Sequence, residues 1–169
     1  MLTKEKINQL FDQLNEELKK EGQLGEIGIV GGAVMCLVFQ VRNATKDVDA
    51  IFEPSSLIRK IAAKLGEKHH IGPAWLNDAV KGFLQPQFKR QNFLELSNLR
   101  VWYPETKYML AMKCISARWD TNDREDVIFL IQKLALKTPK EVFKIIENYY
   151  PKNQIPAKTK FFVEEILQD

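Results

Sequence analysis

With 169 residues, 45% of them hydrophobic and 28% charged, the chain is long enough to bury a sizeable core and short enough for one globular unit, or a small core with a helical appendage. Its formal charge of +3 is weak and spread out, acids prevailing from Met1 to Glu26 and bases from Lys133 to Asp169, so it gives no electrostatic footprint for nucleic acid. No apolar leader opens the sequence, and its most apolar run, Ile27 to Val41, contains three glycines and a glutamine and is shorter than the ~20 residues of a membrane span, so a soluble cytoplasmic protein is expected.

The periodicity predicts a first helix over Thr3 to Glu21, with Ile7, Leu10, Phe11, Leu14 and Leu18 on one stripe, Thr3 as its N-cap and Glu5 in its first turn. Lys6 stands where a capping box wants Glu or Gln, and Gly22 ends the helix. Glu26 to Val30 reads as a short strand that stops at Gly31-Gly32, and Ala33 to Phe39 starts a buried helix. Val48, Ala50 and Phe52 alternate with Asp47, Asp49 and Ile51, which predicts a strand with one apolar face and one face that begins with acids. Pro54-Ser55-Ser56 leads into an amphipathic helix, Leu57 to Lys68. His69 to Gln91, broken at Gly72-Pro73 and Gln85-Pro86, reads as loop with a short helix. Phe93 to Leu96 and Leu99 to Tyr103 predict a hairpin turning at Ser97-Asn98. Everything after Pro104 reads as helix: Glu105 to Arg118, Arg124 to Leu136, Pro139 to Asn148 and Ala157 to Leu167, with Pro139 at a first helical position. Cys36 and Cys114 lie in apolar segments with no companion at metal spacing and read as reduced core residues.

The chemistry concentrates in two places. A period of two points the carboxylates of Asp47 and Asp49 the same way, ~6.5 to 7 Å apart along the strand, while Val48 faces the other side. Like charges that close call for a cation, and hard oxygen ligands suit magnesium (Mg2+) or manganese (Mn2+). A surface strand carries such a pair by chance often enough that the motif alone is weak. The second place is Gly31-Gly32: a helix starting there offers backbone N–H groups and a partial positive charge, and the missing Cβ atoms let a phosphate approach. A tight strand-to-helix turn is the bland reading of the same glycines. Together the two features point to a triphosphate lying from the turn to a metal.

Gly-Gly, fourteen residues, then Asp-x-Asp preceded by Thr45 resembles the signature of the DNA polymerase beta-like nucleotidyltransferase superfamily. More narrowly, the chain resembles the small bacterial nucleotidyltransferase-like proteins related to abortive-infection toxins and their toxin–antitoxin relatives. The likeness runs through Trp75-Leu76-Asn77-Asp78, Leu110-Ala111-Met112-Lys113, Ala117-Arg118, Asp123-Arg124-Glu125-Asp126-Val127 and Tyr149-Tyr150-Pro151, covering roughly Gly25 to the C-terminus. It implies Asp47 and Asp49 as metal ligands, Gly31 and Gly32 with Thr45 as the phosphate-binding turn, and magnesium or manganese as cofactor. It further implies a third carboxylate from a later strand, for which Glu95 is the candidate, an edge-strand glutamate facing water being the alternative. The chain departs from the superfamily's usual Gly-Ser pair, since Gly32 brings no hydroxyl to a phosphate.

Lys113 falls within an apolar helical stripe, so its ammonium either snorkels out or meets an anion. That anion is a nucleotide phosphate on the functional reading; on the structural one, Asp123 and Asp126 form with Lys113 and Arg118 a salt-bridge network between two helices. His69-His70 reads as a helix-end cap, and Trp75, Trp102 and Trp119 as core or cleft-wall aromatics. The expected fold is α+β: a small mixed β-sheet nucleotidyltransferase core over residues 1–104, flanked by helices, with a C-terminal helical bundle over residues 105–169 packed on it. The expected activity is transfer of a nucleoside monophosphate from a nucleoside triphosphate to an acceptor hydroxyl of a tRNA, protein or small molecule, with Asp47, Asp49, Glu95 and Lys113 as catalytic residues. The alternative is a non-catalytic antitoxin or regulator with a cognate toxin or antitoxin as partner. An Asp-x-Asp glycosyltransferase is disfavoured by the short chain, which has no room for an acceptor domain.

Overall fold

The computed structural model describes residues 1–85, 87–118 and 122–168; Trp119 lies outside the described residues. The fold is α+β, with seven α-helices, a five-stranded mixed sheet and a small two-stranded sheet among the described residues. The chain forms two compact units, residues 1–84 with 90–104, and residues 85–89 with 105–169.

In the first unit, Thr3 caps α1 (Lys4–Lys20) by accepting the Lys6 N–H at 3.3 Å, and all five residues of the predicted apolar stripe are buried. Then come β2 (Gly25–Ile29), α2 (Gly31–Leu37), β3 (Ala44–Thr45), β4 (Val48–Glu53) and α3 (Ser55–Lys68). The stretch read as loop contains a further strand, β5 (Leu76–Asn77), before a 3-10 turn at Ala79–Gly82. The predicted hairpin is β6 (Arg90–Glu95) and β7 (Leu99–Pro104), antiparallel with a bulge between Asn92 and Leu94. β1 (Leu2–Thr3) pairs with β3, a contact between residues too short in sequence to carry a pattern.

The main sheet runs β5-β4-β2-β7-β6. Gly28 lies opposite Ile51 and beside Trp102, Asp49 beside Asn77, and Glu95 opposite Arg100. Side chains alternate along a strand and cross-strand partners share a face. Val48, Ala50, Phe52, Ile27 and Val101 therefore face one way, and all are buried. The position where Gly25 has no side chain is surrounded by Leu18 of α1, Ile58 of α3 and Leu99, which puts these two helices over the apolar face. Trp75 joins that core, donating its indole N–H to the Ala62 carbonyl at 2.8 Å. Asp49, Ile51, Gly28, Glu26, Trp102, Arg100 and Glu95 share the opposite face.

On that face Trp102 lies across Gly28. Its indole N–H donates to Glu26 Oε1 at 2.9 Å, and the Arg90 guanidinium stacks 4.2 Å from the ring centroid. A Cβ at residue 28 overlaps the indole ring, so Gly28→Ala is expected to destabilise the protein by about 1–3 kcal/mol, the usual range for overpacking. Denaturant unfolding followed by tryptophan fluorescence reads this as a lower midpoint; an unchanged midpoint contradicts the packing.

His69 is the C-cap residue of α3, as expected for the histidine pair. Its Nε2 bonds Gln13 Oε1 at 2.9 Å, which makes Nε2 the donor, and Nδ1 accepts from the Lys6 ammonium at 2.8 Å. Burial, then the Lys6 charge, hold the imidazole below its ordinary range. The unfolded chain therefore binds this proton first as pH falls, and stability is lost below about pH 6.5. The drop in unfolding midpoint between pH 7 and pH 5.5 is expected to be smaller in His69→Gln; an equal drop contradicts the assignment.

The second unit packs α4 (Thr106–Ser116) against α5 (Asp123–Lys133), α6 (Pro139–Tyr149) and α7 (Ala157–Gln168). Tyr108, fully buried, meets Phe88, Tyr149 and Tyr150 at centroid distances of 4.4, 5.2 and 6.3 Å. Thr138 and Glu141 close a capping box at the start of α6, with Pro139 in its first turn. Cys36 and Cys114 are both buried and unbridged, and burial pushes both thiols up, which leaves them poor nucleophiles.

Candidate functional site

The site in the first unit assembles where β2 turns into α2. Val30 donates its N–H to the Asp49 carbonyl at 3.0 Å, tying the end of β2 to the start of β4. Gly31 then takes φ +59°, which an L side chain rarely adopts, and reverses the chain into the helix. A Cβ built on Gly31 has Asp49 Oδ2 at 3.6 Å. The glycine turn and the second carboxylate thus share one small volume.

Gly32 is packed differently. A Cβ there meets Thr45 Oγ1 at 2.8 Å and Arg42 Nη1 at 3.5 Å. The threonine is 5% exposed and donates its hydroxyl to the Asp47 carbonyl at 3.1 Å. Its proton is therefore used in fixing the bend that leads into β4. A side chain at residue 32 would force the Thr45 hydroxyl to shift, which fits glycine at this position.

Asp47 and Asp49 are half-buried and Val48 between them is buried, the alternation that the sequence predicts. Asp47 directly precedes β4 and Asp49 lies within it. α2 is seven residues long, starting two residues before the predicted position, so its dipole is a small part of any attraction for anions.

Glu95 is not brought to these acids. It stands on the same sheet face, but three strands away and level with Glu53, which at usual strand spacings is about 14 Å across the sheet and about 13 Å along it from Asp49. Its side chain, 64% exposed, pairs with Arg100 at 3.4 Å. The third-carboxylate role expected for Glu95 is thus corrected: it is an edge-strand glutamate in a surface ion pair. Among the described residues no group of three acidic, histidine or cysteine side chains gathers as a metal site. The side chain next to Asp49 on the neighbouring strand is instead Asn77, which the sequence reading missed. The Asn77 Oδ1 accepts the Ala79 N–H at 3.2 Å, and Asp78 is held by Arg59 at 2.6 Å. Two residues of β5 carry no periodicity; the neighbouring Trp-Leu-Asn-Asp run was the available signal.

In the second unit, the Lys113 ammonium lies 2.9 Å from Asp123 and 2.8 Å from Asp126, with side chains 8%, 19% and 2% exposed. Asp123 also accepts the Arg118 backbone N–H at 3.2 Å. Lys113 and the two aspartates join α4 to α5, and Arg118 meets Asp123 through its backbone N–H. A buried ammonium between two carboxylates is compensated without any phosphate.

No helix of the described residues is long and apolar enough to cross a membrane. Comparison with known proteins finds no match among curated proteins or solved structures. A family model described as a nucleotidyltransferase of unknown function (DUF6036) matches residues 5–161, a span that contains the glycine turn, the Asp-x-Asp pair and the Lys113 network alike. The chain belongs to that family of nucleotidyltransferases.

Proposed function

We propose that the protein is a magnesium- or manganese-dependent enzyme that moves a nucleoside monophosphate from a nucleoside triphosphate to an acceptor hydroxyl, with Asp47 and Asp49 holding the metal. The observation that carries this reading is the approach of Asp49 Oδ2 to the side-chain-free surface of Gly31. A metal ligand beside a glycine turn gives a phosphate both a cation and open backbone to lie against. The donor set fits the ion: two carboxylate oxygens at the start of a strand, half-buried, suit a hard divalent cation that keeps waters and phosphate oxygens as its other ligands. The metal, when bound, supplies Lewis-acid polarisation of the phosphoryl oxygens.

The chain's own residues do the rest. Gly31 lets a phosphate approach the backbone, Gly32 makes room for Thr45 and Arg42 beside the turn, and the Thr45 hydroxyl fixes the bend that carries Asp47. In the reaction the acceptor oxygen bonds to the α-phosphorus, the bond from that phosphorus to the bridging oxygen breaks, and pyrophosphate leaves. A carboxylate of the aspartate pair takes the acceptor proton, now that Glu95 stands elsewhere. Catalysis of this kind is mostly positioning and electrostatics.

The second reading is a non-catalytic nucleotide-binding regulator, an antitoxin-like protein of the toxin–antitoxin class acting on a cognate protein partner. It is favoured by Gly32 in place of serine and by Asn77 where a third carboxylate is looked for. The acceptor, whether tRNA, protein or small molecule, separates the two. Incubation with each α-labelled nucleoside triphosphate, magnesium and each acceptor class is expected to release pyrophosphate and label one acceptor. Release no greater than from Asp47→Ala/Asp49→Ala protein overturns the transferase reading in favour of the regulator.

A further inference from the structure

We infer that Arg42 is the phosphate-anchoring residue of this site and makes it selective for nucleoside triphosphates over monophosphates; the inference rests on the nucleotide-binding reading above. After α2 ends at Leu37, Gln40 at φ +56° reverses the chain, and residues 41–45 run back past the start of the helix. That return places Arg42 Nη1 at 3.5 Å from a Cβ built on Gly32, while Asp49 Oδ2 lies 3.6 Å from a Cβ built on Gly31. Two adjacent glycines are thus flanked by a carboxylate at the first and a guanidinium at the second. Their Cα atoms are about 3.8 Å apart, so the two charges stand within the reach of one polyphosphate chain.

The neighbouring groups narrow the choice of anchor. Thr45, the obvious hydroxyl, has given its proton to the Asp47 carbonyl. Gly32 offers no side chain, and Lys46 is exposed on the bend. Arg42 is half-buried, follows the reversal at Gln40, and carries five N–H donors in a fork that matches phosphate oxygens. A guanidinium can keep one partner and still bind a phosphate with its remaining donors. A triphosphate also carries more negative charge than one divalent cation cancels. The phosphate next to the aspartates is served by the metal, and those beyond it meet Arg42. A monophosphate reaches only the first.

Calorimetric titration with a nucleoside triphosphate, diphosphate and monophosphate in magnesium tests this on wild type, Arg42→Ala and Arg42→Lys. Wild type is expected to prefer the triphosphate. Arg42→Ala is expected to lose about 10- to 100-fold in triphosphate affinity, the size of one or two charge-assisted hydrogen bonds, with monophosphate affinity unchanged. Manganese affinity without nucleotide, read by electron paramagnetic resonance, is expected not to fall, because the aspartate ligands stay in place and the charge removed beside them is positive. Arg42→Lys keeps the charge without the fork and recovers part of the loss; it also serves if the alanine variant does not fold. Triphosphate affinity unchanged in Arg42→Ala, or an equal loss for all three nucleotides, overturns the role of Arg42 alone. Wild-type protein that binds neither nucleotide nor manganese overturns the functional reading on which it stands.

Discussion

Asp49→Asn is expected to remove magnesium-dependent nucleotide binding and at least about 100-fold of any transfer activity, a loss of several kcal/mol of metal-borne charge stabilisation. The substitution keeps the shape of the side chain and removes its negative charge. It also keeps the backbone carbonyl that accepts the Val30 N–H at 3.0 Å, so the joint between β2 and β4 survives. Manganese titration and pyrophosphate release measure the loss, with far-UV circular dichroism confirming the fold. A variant that keeps manganese affinity and turnover near wild type contradicts the placement of the metal at this strand. Asp47→Asn is expected to act in the same direction if the proposed metal is held by both carboxylates, Asp47 standing directly before β4 and Asp49 within it.

The largest stability effect is expected in the second unit. Lys113→Met removes the ammonium that Asp123 and Asp126 share, and Asp126, 2% exposed, loses this buried counter-charge. Breaking a buried pair from one side costs about 3–5 kcal/mol, which at about 2–4 °C per kcal/mol for a chain of this size lowers the melting temperature by roughly 6–20 °C. Pairing the substitution with Asp126→Leu is expected to restore much of the loss, because the more deeply buried carboxylate goes with the ammonium and the remaining Asp123 is 19% exposed and accepts the Arg118 N–H. A melting temperature unchanged in Lys113→Met contradicts the network.

The legible parts of the fold are those whose physics is local. The α1 stripe, the Thr3 cap, the β6–β7 hairpin and the helices of the second unit follow from periods of 3.6 and 2 and from turn residues, which sequence displays directly. The Asp47-Val48-Asp49 alternation was legible for the same reason. What depended on register was not. Glu95 shares a face with Asp49, as period two allows, yet the strand order puts two strands between them, and strand order is decided by long-range pairing that a single sequence does not print. Asn77 was hidden because a two-residue strand has no pattern, and its place beside Asp49 comes from parallel pairing with β4. Arg42 was hidden because a reversal at Gln40, not a motif, carries it back to the glycines. Lys113 lay between two readings that sequence weighs equally; the helix hairpin that brings Asp123 and Asp126 to its ammonium is a tertiary fact.

The most direct measurement of the central claim is calorimetric titration of the protein with each nucleoside triphosphate, with and without magnesium, beside the Asp47→Ala/Asp49→Ala variant. The arrangement of glycine turn and carboxylates predicts binding of at least one triphosphate that requires the metal and both aspartates. Absence of binding by every triphosphate in magnesium, or binding that survives removal of both carboxylates, contradicts it.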